Sequence, residues 1–378
     1  MKITGFKTFV VAADSNWVFV QVLTDEGVTG LGEGSVSSKS LAVEAAIRDL
    51  ERFVVGRDPR DIELLWQEMY RYPRWKGGPV LSSAISAIEI ALWDILGQTL
   101  GVPIYQLLGG RCRDRIRMYT HVGGETAEEA ADQAQALVEQ GFTAVKTGGL
   151  LVKGDVVRPH EAMRLGAERV KAIRDSVGPD VDILVDAHCQ LTPQMAVEFA
   201  GRIAEYAPFF LEEPTRPEDL GALEWVSQRS LVPLATGEQL FTKFGFTEVC
   251  DSHLVNYIQP DVIHCGGISE LKKIAAIAEA HFIDCAPHNP QSYVSTMASL
   301  HVDASTTNCV IQEIPEGPEW QRDLFVGAPE ITDGYAKLPS GPGLGLSLNE
   351  EVAAAHPYDE ALSRPKWRWA DGSVADWA

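Results

Sequence analysis

Two rhythms of apolar and polar residues divide the chain. In its N-terminal part, ITGFKTFVV, WVFVQVLTDEG and VTGLGEG read as three short strands, the last two joined at Asp25-Glu26-Gly27, a hairpin signal between alternating apolar residues. From Ser40 the apolar spacing lengthens to three and four. LAVEAAIRDLERFVVG, DIELLWQEMYR and PVLSSAISAIEIALWDILGQTLG are predicted helices. In the third, Leu81, Ile85, Ile88, Leu92 and Leu96 keep that spacing and Pro79 stands near the start. Strands followed by helices make an α+β domain.

From about Arg115 the pattern changes to strand and helix in alternation. IRMYTHV, TAVKTGG, DILVDAH, FFLEEP, LVPLATGE, VNYIQPD, IDCAPHN and CVIQEIP are eight candidate strands, and the segments between them are amphipathic with helix-ending glycines. Eight parallel units predict a (β/α)8-type barrel, whose chemistry sits at the C-terminal ends of the strands. After about Glu316 the rhythm dissolves into Pro- and Gly-rich sequence. Gly341-Pro342-Gly343-Leu344-Gly345 has a superficial likeness to a dinucleotide loop, but no strand–turn–helix unit surrounds it, so it reads as a turn. The expected division is residues 1–114 as an α+β domain, 115–325 as the barrel, and 326–378 as a C-terminal segment returning to the first domain.

Composition narrows the partners. The 378 residues carry 53 acids against 32 bases, a formal net charge of −21, which argues against nucleic acid or an anionic membrane surface. An anionic substrate then needs a local positive group, most economically a metal ion. The six cysteines form no CxxC pair, so neither a zinc site nor a disulfide framework is signalled. MKITGFKTFVVAADSNW lacks an apolar leader, and no run of about 18 uninterrupted apolar residues follows, so the expected setting is cytoplasmic.

The chemistry-bearing residues lie at the predicted strand ends. Asp186, Glu212 and Glu238 recur 26 residues apart, about one strand-helix unit, and end three consecutive strands. Neighbouring strands lie about 4.8 Å apart, so three such carboxylates can converge on one ion, and an all-carboxylate set suits Mg2+. His188 falls two residues past Asp186 and, if that strand continues, projects to the same side. His288 ends strand seven, half a barrel away, so the two imidazoles should face each other in an acid/base arrangement. Asp261 on strand six lies beside His288 and can fix its tautomer. Glu313 on strand eight would complete the ring, either as a protonated hydrogen-bond donor to an oxyanion or in a rim salt bridge. Lys146 on strand two is placed to meet a substrate carboxylate or to pair with one of the acids. Trp75, with Arg74 and Lys76, lies in a loop that either closes over an anionic ligand or merely connects two helices. His264 and His301 are taken as structural.

The DAH, LEEP, TGEQ, QPD, APH and QE segments, in this order and spacing, resemble the enolase superfamily over nearly the whole chain. Within it the chain looks like the mandelate racemase subgroup, and most like acid-sugar dehydratases of the D-galactonate type. That resemblance implies a modified (β/α)7β barrel under an N-terminal α+β capping domain, and a Mg2+-chelated sugar-acid substrate in a symmetric homo-oligomer. It also implies Asp186, Glu212 and Glu238 as ligands, His288 with Asp261 as base, His188 as the acid for the departing 3-hydroxyl, and Glu313 on the substrate carboxylate. Racemases of the subgroup carry a K-x-K motif on strand two. Here it reads Lys146-Thr147-Gly148, which disfavours a Lys/His pair of bases. Epimerisation or cycloisomerisation using both histidines, a Schiff-base lyase at Lys146, and a barrel without catalysis are the alternatives.

Overall fold

The structure, a computed structural model, describes residues 1–362 and 366–376. Strands β1 (Ile3–Ala12), β2 (Asn16–Thr24) and β3 (Thr29–Glu33) form an antiparallel sheet in that order. The β2–β3 hairpin closes at Gly27, whose φ of +79° a side chain would resist. Helices α1 (Ser40–Val54), α2 (Ile62–Arg71) and α3 (Pro79–Leu100) follow. Helix α1 buries one stripe, Val43, Ile47, Leu50 and Val54, as its spacing requires. Helix α3 is long and apolar enough to cross a membrane, but it lies mostly inside the protein, with residues 82–92 buried without interruption. It is the shared core helix of both domains.

The TGLGEG stretch explains how α3 comes so close. A side chain at Gly30 would stand 2.0 Å from the Ala91 carbonyl oxygen, one at Gly32 1.9 Å from that of Ala87, and one at Gly34 2.7 Å from that of Ser83. Alternate strand residues advance about 6.7 Å and every fourth helix residue about 6 Å, so the two repeats stay in step. Backbone therefore rests on backbone.

The second domain is a closed barrel of eight parallel strands among the described residues. They are β4 (Arg115–Val122), β5 (Ala144–Gly148), β6 (Asp182–Asp186), β7 (Phe210–Glu212), β8 (Leu234–Thr236), β9 (Tyr257–Ile258), β10 (Asp284–Cys285) and β11 (Gln312–Glu313). Each pairs with the next through β10, a parallel bridge joins Cys285 to Cys309, and β11 returns to β4 at Gln312 and Met118. Seven helices run between them: α4 (Ala127–Glu139), α5 (Pro159–Val177), α6 (Pro193–Ile203), α7 (Leu220–Ser227), α8 (Thr242–Asp251), α9 (Ile268–Ala280) and α10 (Tyr293–Ala304). No full-length eighth helix follows β11 in the described residues, only the short helical turns Gln321–Leu324 and Glu350–Ala355. Instead a small hairpin, Ile331–Thr332 with Tyr335–Lys337, adds antiparallel to the start of β4. The architecture is thus (β/α)7β rather than eight equal units.

Three buried acids stitch the domains together. Glu33 accepts hydrogen bonds from Ser35 Oγ, Ser292 Oγ and the Ser295 N–H at the start of α10. Glu89 on α3 accepts from the Ile268 and Ser269 N–H groups at the start of α9 and from Trp93. Asp94 accepts from Leu31 N–H and, in the C-terminal segment, from Leu344 N–H. Carboxylates at helix N-termini answer donors the helices cannot satisfy themselves.

The Gly343 turn packs on the end of α3, with Gly343 exchanging hydrogen bonds with Val102 and Ile104. The tail does not return to the first domain as one piece. Pro357 bridges Val11 of β1, but Arg368 pairs with Val156, and Trp367, Trp369 and Ala375 pack with Val157 and Ala162, on the loop after β5 and the start of α5.

Candidate active site at the barrel mouth

Seven apolar residues, Tyr119, Ala144, Leu184, Phe210, Ala235, Ala286 and Ile311, plug the barrel interior. Strand alternation sets the next inward residue two positions on. On six strands that residue is polar: His121, Lys146, Asp186, Glu212, His288 and Glu313. A ring of chemistry therefore sits directly above the plug, at the C-terminal end of the barrel.

Glu238 joins the ring differently. Gly237, at φ +142°, has no room for a side chain, since one would lie 2.8 Å from the Phe246 ring and 2.9 Å from the Gln259 nitrogen. The turn brings Glu238 next to Asp186 and Glu212, and one oxygen from each of the three lies within 4.8 Å of the others. Asp186 Oδ2 and Glu212 Oε2 are buried yet accept no hydrogen bond. Buried oxygens without donors are rare in stable folds. Two such oxygens, with Glu238 beside them, fit a hard divalent cation such as Mg2+. Burial, and then the neighbouring carboxylates, push Glu212 and Glu238 above the usual carboxylate range, which is the electrostatic cost of holding them together without a cation.

Glu213 turns away, in a left-handed conformation at φ +44°. It accepts from Thr236 Oγ1 at 2.8 Å, Gly237 N–H at 2.7 Å and Cys189 Sγ at 2.9 Å, and so braces the ends of β6, β7 and β8.

His188 does not reach the mouth by alternation, as expected from a continuing strand. β6 ends at Asp186, and His188 and Cys189 adopt φ of +48° and +58° in a turn. The turn is held by the His188 N–H donating to Asp186 Oδ1 at 2.8 Å, and it leaves His188 Nε2 3.2 Å from Asp186 Oδ2. The imidazole still lies at the acids, by another route.

Across the ring, His288 Nδ1 lies 2.8 Å from Asp261 Oδ2, and Nε2 lies 3.1 Å from Glu238 Oε2. Burial opposes its charge, but Glu238, the Asp261 hydrogen bond and Glu313 outweigh it and push His288 up to about 10. His264, taken from sequence as structural, adds a further contact. Its Nε2 stands 3.6 Å from Asp261 Oδ2, and its Nδ1 is 2.8 Å from Ser83 Oγ on α3.

Lys146 is buried with its ammonium 2.8 Å from Glu212, 3.0 Å from Glu313 and 3.4 Å from Asp186. Burial works against that charge, yet Glu212 and Glu313 hold it well above the ordinary lysine range. Glu313 faces donors on both oxygens: Lys146 and His121 at Oε1, and the Asn289 N–H at 2.7 Å on Oε2. Although burial favours the neutral acid, Lys146 and His121 hold Glu313 well below the usual range. The expectation of a protonated Glu313 acting as donor therefore gives way to an ionised acceptor. Trp75 is not brought to the ring; it is 80% exposed, with the Arg74 guanidinium 5.7 Å from its ring centre.

Sequence reasoning passed over His121. It is the penultimate residue of IRMYTHV and follows inward Tyr119 by two, as Asp186 follows Leu184, so alternation would have found it.

Residues 7–109 match the mandelate racemase / muconate lactonizing enzyme N-terminal domain, and residues 129–352 match the enolase C-terminal domain-like family. The chain is 38% identical over 385 positions to a D-galactonate dehydratase of Ralstonia pickettii and 36% identical over 385 positions to one of Pectobacterium atrosepticum, in each case across all of both chains. Among solved structures, an enolase from Pantoea ananatis with bound D-gluconate and Mg superposes with a TM-score of 0.92 at 32% identity, covering 99% of each chain. An enolase from Agrobacterium radiobacter with bound Na and L-malate gives a TM-score of 0.92 at 32% identity over 100% of each chain.

Proposed function

Because this chain belongs to the mandelate racemase / muconate lactonizing enzyme family of the enolase superfamily, we propose that it is a Mg2+-dependent dehydratase of a sugar acid, an aldonate such as D-galactonate or a related aldarate. The observation that carries the reading is the layout of the ring: a carboxylate trio, two of its members undersatisfied, flanked by His188 on strand three and by the His288–Asp261 pair on strands seven and six.

Asp186, Glu212 and Glu238 would hold the metal. Bound there, Mg2+ supplies the positive charge that makes the proton next to a carboxylate acidic enough to remove. His288 takes that proton at Nε2, while Asp261, hydrogen-bonded at Nδ1, keeps the ring in the right tautomer and stabilises its cation. His188 gives a proton to the departing 3-hydroxyl. Water leaves, and the resulting enol ketonises to a 2-keto-3-deoxy acid. Lys146 supplies a donor at the carboxylate end of the substrate, and Glu313 holds that ammonium in place rather than giving up a proton of its own. Trp75 takes part only when the loop of residues 72–78 folds over the ligand.

Gly148 leaves no second lysine on strand two, which disfavours racemisation by a Lys/His pair. The test is to supply Mg2+ and a panel of aldonates and aldarates in deuterated water and to assay 2-keto acid. Keto-acid formation is expected. Exchange at C2 or epimerisation without keto acid would point to an epimerase and sink the dehydratase reading.

A further inference from the structure

His121 is the member of the ring that the reaction above does not use. It stands near the end of β4, one inward step above Tyr119. Its side chain is 43% exposed, against 37% for His188 and 12% for His288. Nε2 is committed to Glu313, and Nδ1 has no partner among the described residues. On the adjacent strand, His121 lies in register with Lys146, and two residues further on is Gly148, where a side chain would meet nothing within 4 Å.

The mouth is thereby partitioned. Strands β6 to β8 carry the acids, and β9 and β10 carry the base. The remaining arc, β11, β4 and β5, holds a buried Lys146–Glu313 pair, an open space and one half-exposed imidazole. A linear sugar acid whose carboxylate lies between those acids and the buried Lys146 can run its remaining carbons over the open part of that arc, at Gly148 and His121. With Nε2–H directed at a carboxylate, Nδ1 accepts a hydrogen bond when the ring is neutral and donates one when it is charged; a hydroxyl can answer both.

Building on the sugar-acid reading, we propose that His121 contacts the substrate beyond its reacting carbons, hydrogen-bonding through Nδ1 to a hydroxyl of the polyol chain, and that the gap at Gly148 admits that chain. His121 is then a specificity residue, sorting acids by the length and configuration of the distal chain.

The test compares the wild type with His121→Phe, His121→Asn and Gly148→Val in the full chain with Mg2+. KM and kcat are measured with D-galactonate, D-gluconate and the four-carbon acid threonate, and the affinity for D-gluconate is measured by calorimetry. His121→Phe is expected to raise KM for the six-carbon acid that is turned over, and Kd for D-gluconate, by about 10- to 100-fold, with kcat little changed. Threonate should be unaffected, His121→Asn should recover part of the loss, and Gly148→Val should penalise the six-carbon acids selectively. Equal losses on four- and six-carbon acids, or a fall in kcat with KM intact, would overturn the contact and leave His121 as a prop for Glu313. If the wild type binds D-gluconate but forms no keto acid, the dehydratase reading fails separately. The Kd comparison still decides the contact, and an unchanged Kd in His121→Phe overturns it.

Discussion

Buried carboxylates occur in two regions of this molecule, the barrel mouth and the seam between the domains, and their surroundings differ. Along the seam, Glu33, Glu89 and Asp94 receive a donor on every oxygen, mostly from backbone N–H groups. At the mouth, Asp186 and Glu212 each keep a buried oxygen that accepts no hydrogen bond, that of Asp186 having only the basic side chains of His188 and Lys146 beside it. The two sets cannot be told apart by burial alone. A carboxylate with its donors supplied holds structure together, and one left short of them is held for something that must arrive.

The contrast can be broken in order of expected effect. Glu212→Gln should lower sugar-acid turnover by on the order of 10^3-fold or more, while the thermal midpoint measured without divalent cation changes little, because relief of the repulsion among the three acids offsets the lost ion pair with Lys146. A large loss of stability would place Glu212 with the seam acids. Asp261→Asn should cost roughly 10- to 100-fold in kcat with intact folding, since it disturbs the orientation of His288 without removing it; steady-state kinetics with circular dichroism on the same sample decides this. Glu89→Ala should do the reverse, costing about 1–3 kcal/mol of stability by orphaning the α9 donors while kcat stays within about twofold.

The smallest effect is that of pH. Burial raises Glu33 and Glu89 to about 7 and Asp94 to about 6, despite their hydrogen bonds. A carboxyl raised in the folded state from 4.5 to about 7 contributes stability that is full below pH 4.5 and is lost as pH climbs through 7. The thermal midpoint should therefore fall by a few degrees between about pH 5.5 and about pH 8.5, and Glu33→Gln combined with Glu89→Gln should flatten that fall. An unchanged slope in the double variant would show that other groups govern it.

Much of this was legible from pattern. Eight strands and the ring residues Asp186, Glu212, Glu238, Asp261 and His288 follow from strand-end position and spacing, because alternation and the strand-helix repeat are local properties. What escaped depends on contacts between distant segments or on turns. The left-handed residues at His188 and Cys189 end a strand that alternation would have continued. Glu313 looked free to be protonated until Lys146, His121 and Asn289 were seen to converge on it. The split tail could not be read from its Pro- and Gly-rich composition, which states only that it is irregular.

The bare strip that runs from β3 through Gly34 under α3 reaches further than its location suggests. Ser83 is at once the residue whose carbonyl lies over Gly34 and the one whose hydroxyl meets His264, which in turn stands beside Asp261. A single methyl at Gly34 would press on that carbonyl, and the displacement would be passed by way of α3 and His264 to Asp261, the partner of His288. The aim of the His288 imidazole, to which the proposed reaction gives the proton, is thus set partly by an atom the protein leaves out, just past the end of β3.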